Sequence, residues 1–104
     1  MPTNFSKGRN LEYAAWDRLR TLGYTVFRCA GSRPIDLVAI KNGRIALVEC
    51  KTGLNPYLSP TQLSHILELA KRINATVIVA VRKKHRGIRW LGARENGIRE
   101  TQLE

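Results

Sequence analysis

Asn42-Gly43 stands between two runs of β-forming residues, Ile35–Lys41 (IDLVAIK) and Arg44–Thr52 (RIALVECKT). A two-residue type I′ turn needs positive φ at both central positions, which Asn and Gly adopt at little cost, so the dipeptide predicts a hairpin. The turn also sets the register. With Lys41 facing Arg44, Asp36 lies across from Glu49 in a non-hydrogen-bonded pair, the class whose Cα atoms are about 4.5 Å apart. Lys51, two residues past Glu49, shares that face, while Val48 and Cys50 take the other.

Like charges directly opposite each other destabilise a sheet, so folding alone gives no reason to place Asp36 against Glu49. A bulge that shifts the register, or solvent on an open sheet face, would relieve the repulsion. A divalent cation would also relieve it, because carboxylate oxygens are its natural ligands. Magnesium commonly takes one or two of them and fills its shell with water and substrate phosphate. The three charges therefore point to metal-dependent phosphate chemistry, with Mg2+ the expected ion and Mn2+ an expected substitute.

The rest of the chain reads as one α/β domain. At 104 residues it is long enough to bury a single core. Leu11, Ala14, Ala15, Leu19 and Leu22 recur at helical spacing over about residues 7–22, and Gly23 follows where a left-handed residue ends a helix. YTVFRCA (24–30) predicts a strand and GSRP (31–34) a turn. After the loop GLNPYL, Ser59-Pro60-Thr61-Gln62 opens a second helix with a Ser cap, Pro at the first position and Gln three residues on. Leu63, Ile66, Leu67, Ala70 and Ile73 carry it to Asn74; ATVIVAVR, the basic turn KKHRG and IRWLGA complete the order α-β-β-β-α-β-β. Residues 95–104 read as a polar C-terminal tail prone to fraying.

Lys and Arg number 18 against 8 Asp and Glu, a net charge of +10. Such an excess favours polyanions, nucleic acid foremost. The longest apolar run, Ala75–Val81, is far too short to span a bilayer, and MPTNFSKGRN has no apolar signal core, so no membrane role and a cytoplasmic location are expected. Cys29 and Cys50 lack metal spacing, and His65 and His85 have no setting for a catalytic base.

Asp36 followed by Glu49-Cys50-Lys51 resembles the D…ExK core of the PD-(D/E)xK, or restriction-endonuclease-like, nuclease superfamily. Lys7-Gly8-Arg9-Asn10-Leu11-Glu12 and Ala30-Gly31-Ser32 narrow the likeness to archaeal-type Holliday junction resolvases, over nearly the whole chain. The literal Pro-Asp dipeptide is absent, since Ile35 separates Pro34 from Asp36. The resemblance implies a mixed five-stranded central sheet flanked by helices, and a magnesium-dependent endonuclease that makes paired symmetric nicks in four-way DNA junctions. A homodimer would match the symmetry of such a substrate, and no small-molecule cofactor is expected. Asp36, Glu49, Glu12 and the Cys50 backbone carbonyl would bind metal, and Lys51 would position or polarise the attacking water. Ser32 would lie beside the scissile phosphate and Gln62 would face the site.

Each role has a structural counterpart. Glu12 could pair with Arg9 in solvent, Ser32 could serve the GSRP turn, and Gln62 could complete a capping box. Lys7, Arg9, Arg33, Arg82, Lys83, Lys84 and Arg86 are the expected DNA contacts, spread over several elements in a way that suits backbone shape more than base reading. Trp90 and Leu91 fit either a dimer interface or the core. Two other functions remain compatible with these residues: a related nuclease for other branched or nicked DNA, and a basic binding module that does not cleave.

Overall fold

The Asn42-Gly43 turn forms as its residue types dictate, with φ of 51° and 74°. It joins β2 (Leu37–Lys41) to β3 (Arg44–Thr52) in the expected register, Lys41 opposite Arg44 through Leu37 opposite Val48. The computed structural model describes residues 4–29, 35–52, 58–82 and 86–103, with side chains from residue 10 onward among them. Preceding the hairpin are α1 (Asn4–Thr21) and β1 (Thr25–Arg28); following it are α2 (Pro60–Ile73), β4 (Thr76–Arg82), β5 (Arg89–Arg94) and β6 (Gly97–Glu100).

The strands form one sheet in the order β1-β2-β3-β4-β5-β6. Only β3 and β4 pair in parallel; the other neighbours are antiparallel. A parallel pair needs a crossover, and α2 supplies it. Ser59 caps this helix by accepting from the Gln62 N–H at 3.1 Å, Pro60 takes the first position, and Asn74 ends it in the left-handed region.

Alternation along the strands sorts the core into two layers. Leu37, Ala39, Ala46, Val48, Ile78 and Ala80 pack with Ala15 and Leu19 of α1. Leu47, Val77, Val79 and Val81 pack with Ile66 and Ala70 of α2 on the other face. The central strands β3 and β4 are thus covered on both sides along their middles, where Ile45–Val48 and Val77–Val81 are all apolar.

Two expectations change. The sheet has six strands rather than five, because residues 95–104 are not simply a tail. Glu95-Asn96 turns the chain, and β6 pairs with β5 from Arg94 opposite Gly97 to Leu91 opposite Glu100. Every residue of β6 is exposed, so GIRE carries no alternation that would mark it as a strand. Trp90 and Leu91 both pack partly against the core, on opposite faces of the sheet.

Candidate active site

β3 outruns its partner β2, which leaves residues 49–52 without an antiparallel strand on that side among the described residues. The free edge is where the charged residues gather. Asp36 does not continue the ladder as expected. Alternate residues of β2 serve opposite neighbours, so regular pairing would turn the Asp36 N–H toward β1. Instead it donates to Val48 O at 3.0 Å, while the Asp36 carbonyl accepts from the Cys29 N–H at 2.8 Å. The chain bends there, and the Asp36 carboxylate Oδ2 accepts from the Cys50 N–H at 2.8 Å. The bend meets two demands at once, satisfying a backbone donor that β2 no longer reaches and holding the carboxylate at the sheet end.

Glu49 is the one charged residue that is buried among the described residues, at 6% exposure. Burial, then hydrogen bonding to and repulsion by Asp36, push its pKa up to about 9, and Lys51 pulls the other way. The Lys51 Nζ lies 4.0 Å from Glu49 Oε1 and donates to Gln62 Oε1 at 3.4 Å. Half of the expected capping box is present, the Gln62 backbone N–H donating to Ser59 Oγ, while the Gln62 side chain faces Lys51. Cys50 packs its side chain in the α1-side layer, opposite Glu49, as the alternation requires; burial pushes its thiol pKa up strongly.

Glu12 reaches the same place from α1. Its pKa is raised, first by burial and further by Asp36, whose carboxyl it faces. Its partner among the described residues is Arg28, whose Nε donates to Glu12 Oε2 at 2.9 Å. Arg28 was absent from the expected set. The signal was available: an arginine interrupts the apolar strand YTVFRCA, one strand away from Asp36.

The structure thus brings together Glu12, Asp36, Glu49, Lys51, Gln62 and the Cys50 backbone. The fold places β3 and β4 in parallel, so Thr52 and Arg82 end side by side at this same edge, with Arg86 exposed after β4. Ser32, Arg33, Lys83 and Lys84 lie outside the described residues, as do the side chains of Lys7 and Arg9, which sit within α1. His65 is exposed on α2, as expected.

The donor set suits a divalent cation. Asp36 and Glu49 are hard oxygen donors whose mutual repulsion a cation would cancel. Among the described residues no group of three or more His, Cys, Asp or Glu is spaced to enclose an ion.

Comparison with known proteins gives the family and the fold. The family described as archaeal Holliday junction resolvase (Hjc) matches residues 3–102. The crossover junction endodeoxyribonuclease Hjc of Sulfurisphaera tokodaii is 32% identical, over 79% of this chain and 63% of the relative. That of Methanocaldococcus jannaschii is 25% identical over the same shares. This chain therefore spans less than two thirds of the length of these relatives. The crystal structure of Archaeoglobus fulgidus Hjc, a Holliday junction resolvase, has the same fold, with a TM-score of 0.73 at 24% identity over 92% of this chain and 84% of that one.

Proposed function

This chain belongs to the archaeal Holliday junction resolvase family, and on that footing we propose that it is a structure-selective endodeoxyribonuclease that resolves four-way DNA junctions by paired symmetric nicks. The observation that carries this reading is the convergence of Asp36, Glu49 and Lys51 at the end of β3, with Glu12 arriving from α1. Residues 1–104 would form one nuclease domain acting in the cytoplasm, where its DNA substrate lies.

Asp36 and Glu49 would hold a divalent cation, Mg2+ with Mn2+ as substitute, assisted by Glu12 and the Cys50 carbonyl. When bound, such an ion supplies a water of lowered pKa and positive charge against the phosphorane transition state. Lys51, fixed between Glu49 and Gln62, would orient the attacking water and offset charge developing on phosphorus. Gln62 acts through Lys51, as a positioning residue. Ser32 and Arg33 would border the scissile phosphate. Lys7, Arg9, Arg82, Lys83, Lys84 and Arg86 would grip the arms through phosphates, in keeping with a charge of +10. Each chain carries one such site and a junction needs two matched nicks, so we propose a symmetric homodimer.

The test is cleavage of labelled four-way junction, flap and linear duplex DNA with and without Mg2+. Paired symmetric nicks confined to the junction are expected. Cutting of flaps or nicked duplex in preference would make it a related nuclease of other substrates. Binding with no cleavage under any divalent ion would make it a binding module and overturn the proposal.

A further inference from the structure

Beside the carboxylates, the edge strand β1 carries an exposed aromatic rim. Phe27 is 56% exposed, the most exposed large apolar side chain among the described residues, and Tyr13 on α1 is 46% exposed. Neighbouring strand residues point to opposite faces. Val26 packs in the α1-side layer, so Phe27 takes the face of Glu49 and Lys51, and Arg28 returns to the α1 side. There the Arg28 guanidinium lies 5.7 Å from the Tyr13 ring centroid while its Nε grips Glu12. Trp16 backs Tyr13 in a near-parallel stack, centroids 6.4 Å apart at 26°. The two aromatics therefore flank the edge of β1, and Arg28 ties the rim to the site.

Folding does not account for Phe27. It faces solvent opposite half-buried Val38 on a strand with no further neighbour among the described residues. An edge strand is normally kept polar to avoid pairing with other chains. A second copy of the chain is a poor occupant here, since a two-fold contact at β1 would set the exposed Arg28 of each copy against the other's. A nucleobase suits both features, because its π-face stacks on an aromatic ring and its backbone brings negative charge to the arginine. At the centre of an opened junction the innermost base pairs have lost a stacking neighbour, which a linear duplex never does.

We infer that Phe27 and Tyr13, one on each face of the β1 edge, are stacking surfaces for the unstacked bases at the branch point, and that they contribute selectivity for junctions. It rests on the proposed action on branched DNA. The strands β1 and β3 lie about 10 Å apart, and Phe27 is level with Leu47, two residues before Glu49, so a base on Phe27 would belong to a nucleotide near a phosphate at the proposed metal site.

The experiment uses a four-way junction with 2-aminopurine at the branch-point positions, in chelator so that no cutting occurs. Wild-type protein is expected to quench the probe. Phe27→Ala and Tyr13→Ala should relieve the quenching and weaken junction binding by roughly tenfold, the effect of losing one base–aromatic stack. Their binding of linear duplex should change less than about twofold, and Phe27→Trp should restore the junction values. Circular dichroism checks that each variant folds. Junction affinity and probe signal unchanged in both alanine variants would overturn the stacking inference while leaving the nuclease reading intact. A change from dimer to monomer on sedimentation, with equal losses on junction and duplex, would make the rim an interface between copies and also overturn it. Wild-type protein that neither prefers nor cuts junctions would remove the proposed function and this inference together.

Discussion

Glu49 is held in a place where its charge is costly. Its pKa of about 9 lies above the ordinary carboxylate value of 4.5, so the metal-free folded state binds a proton that the unfolded state has released. Stability from this group is full below pH 4.5 and is lost as pH rises through about 9. Glu49→Gln keeps the shape without the ionisation. In metal-free protein at pH 9 it should raise Tm by roughly 5 °C or more, the shift that about 1 kcal/mol produces at this size. At pH 4 the two proteins should melt together, and a constant difference across the range would show that burial of the charge is not the cause. Adding Mg2+ at high pH should stabilise the wild type more than the variant. Arg28 acts on Glu12 in the opposite sense, since it lowers a pKa that burial and Asp36 raise. Arg28→Met should let that pKa climb further and move the acid limb of the pH–rate profile for junction cleavage to higher pH. An unmoved limb would mean that Glu12 does not need its charge.

Among the elements, α2 has both ends closed by specific chemistry. Ser59 accepts from the Gln62 N–H, and Asn74 adopts φ 54° while its N–H turns back to the last carbonyls. Ser59→Ala should cost about 1 kcal/mol in urea unfolding. Its second consequence is functional: fraying of the first turn would loosen Gln62 and, through it, Lys51. Cleavage should therefore fall more than the loss of stability explains, and Pro60 should limit the fraying. Equal activity at full folding would separate the cap from the site. At the other end of the sheet, Lys41 donates to Leu22 O at 2.7 Å and covers the Tyr24 ring, so the hairpin also closes the C-terminal end of α1. That contact locks α1, and with it Glu12, to the strand that follows Asp36.

On the scale of the molecule, a sheet covered by one helix on each face lets residues from both sides meet at its end. Glu12 comes from the α1 layer and Gln62 from the α2 layer, and the overhang of β3 joins them. The core that holds this arrangement is small; Ile66 of α2 is fully buried against the sheet. Ile66→Ala should destabilise by about 2–5 kcal/mol, a large part of the total for a domain this size. The charge of +10 is a whole-molecule property as well. Junction affinity should fall at least tenfold between about 50 and 200 mM salt. A flat salt response would show that the basic residues do not reach phosphate.

The sequence by itself determined the local structure, because short-range chemistry is enough for it. Asn42-Gly43 imposed the hairpin and its register, Ser59-Pro60 imposed the start of α2, and Gly23 and Asn74 marked helix ends. The grouping of Asp36, Glu49 and Lys51 followed from strand alternation. Tertiary structure decided what depends on neighbours far along the chain. β6 forms because β5 offers it an edge, although GIRE has no apolar face of its own. Asp36 leaves the ladder because the overhanging β3 presents a free Cys50 N–H that no local rule reveals. Arg28 finds Glu12 across sixteen residues of chain. The raised pKa of Glu49 comes from burial and from Asp36 together. Spacing could bring the acidic residues to one edge; only packing could remove the water that would otherwise screen them.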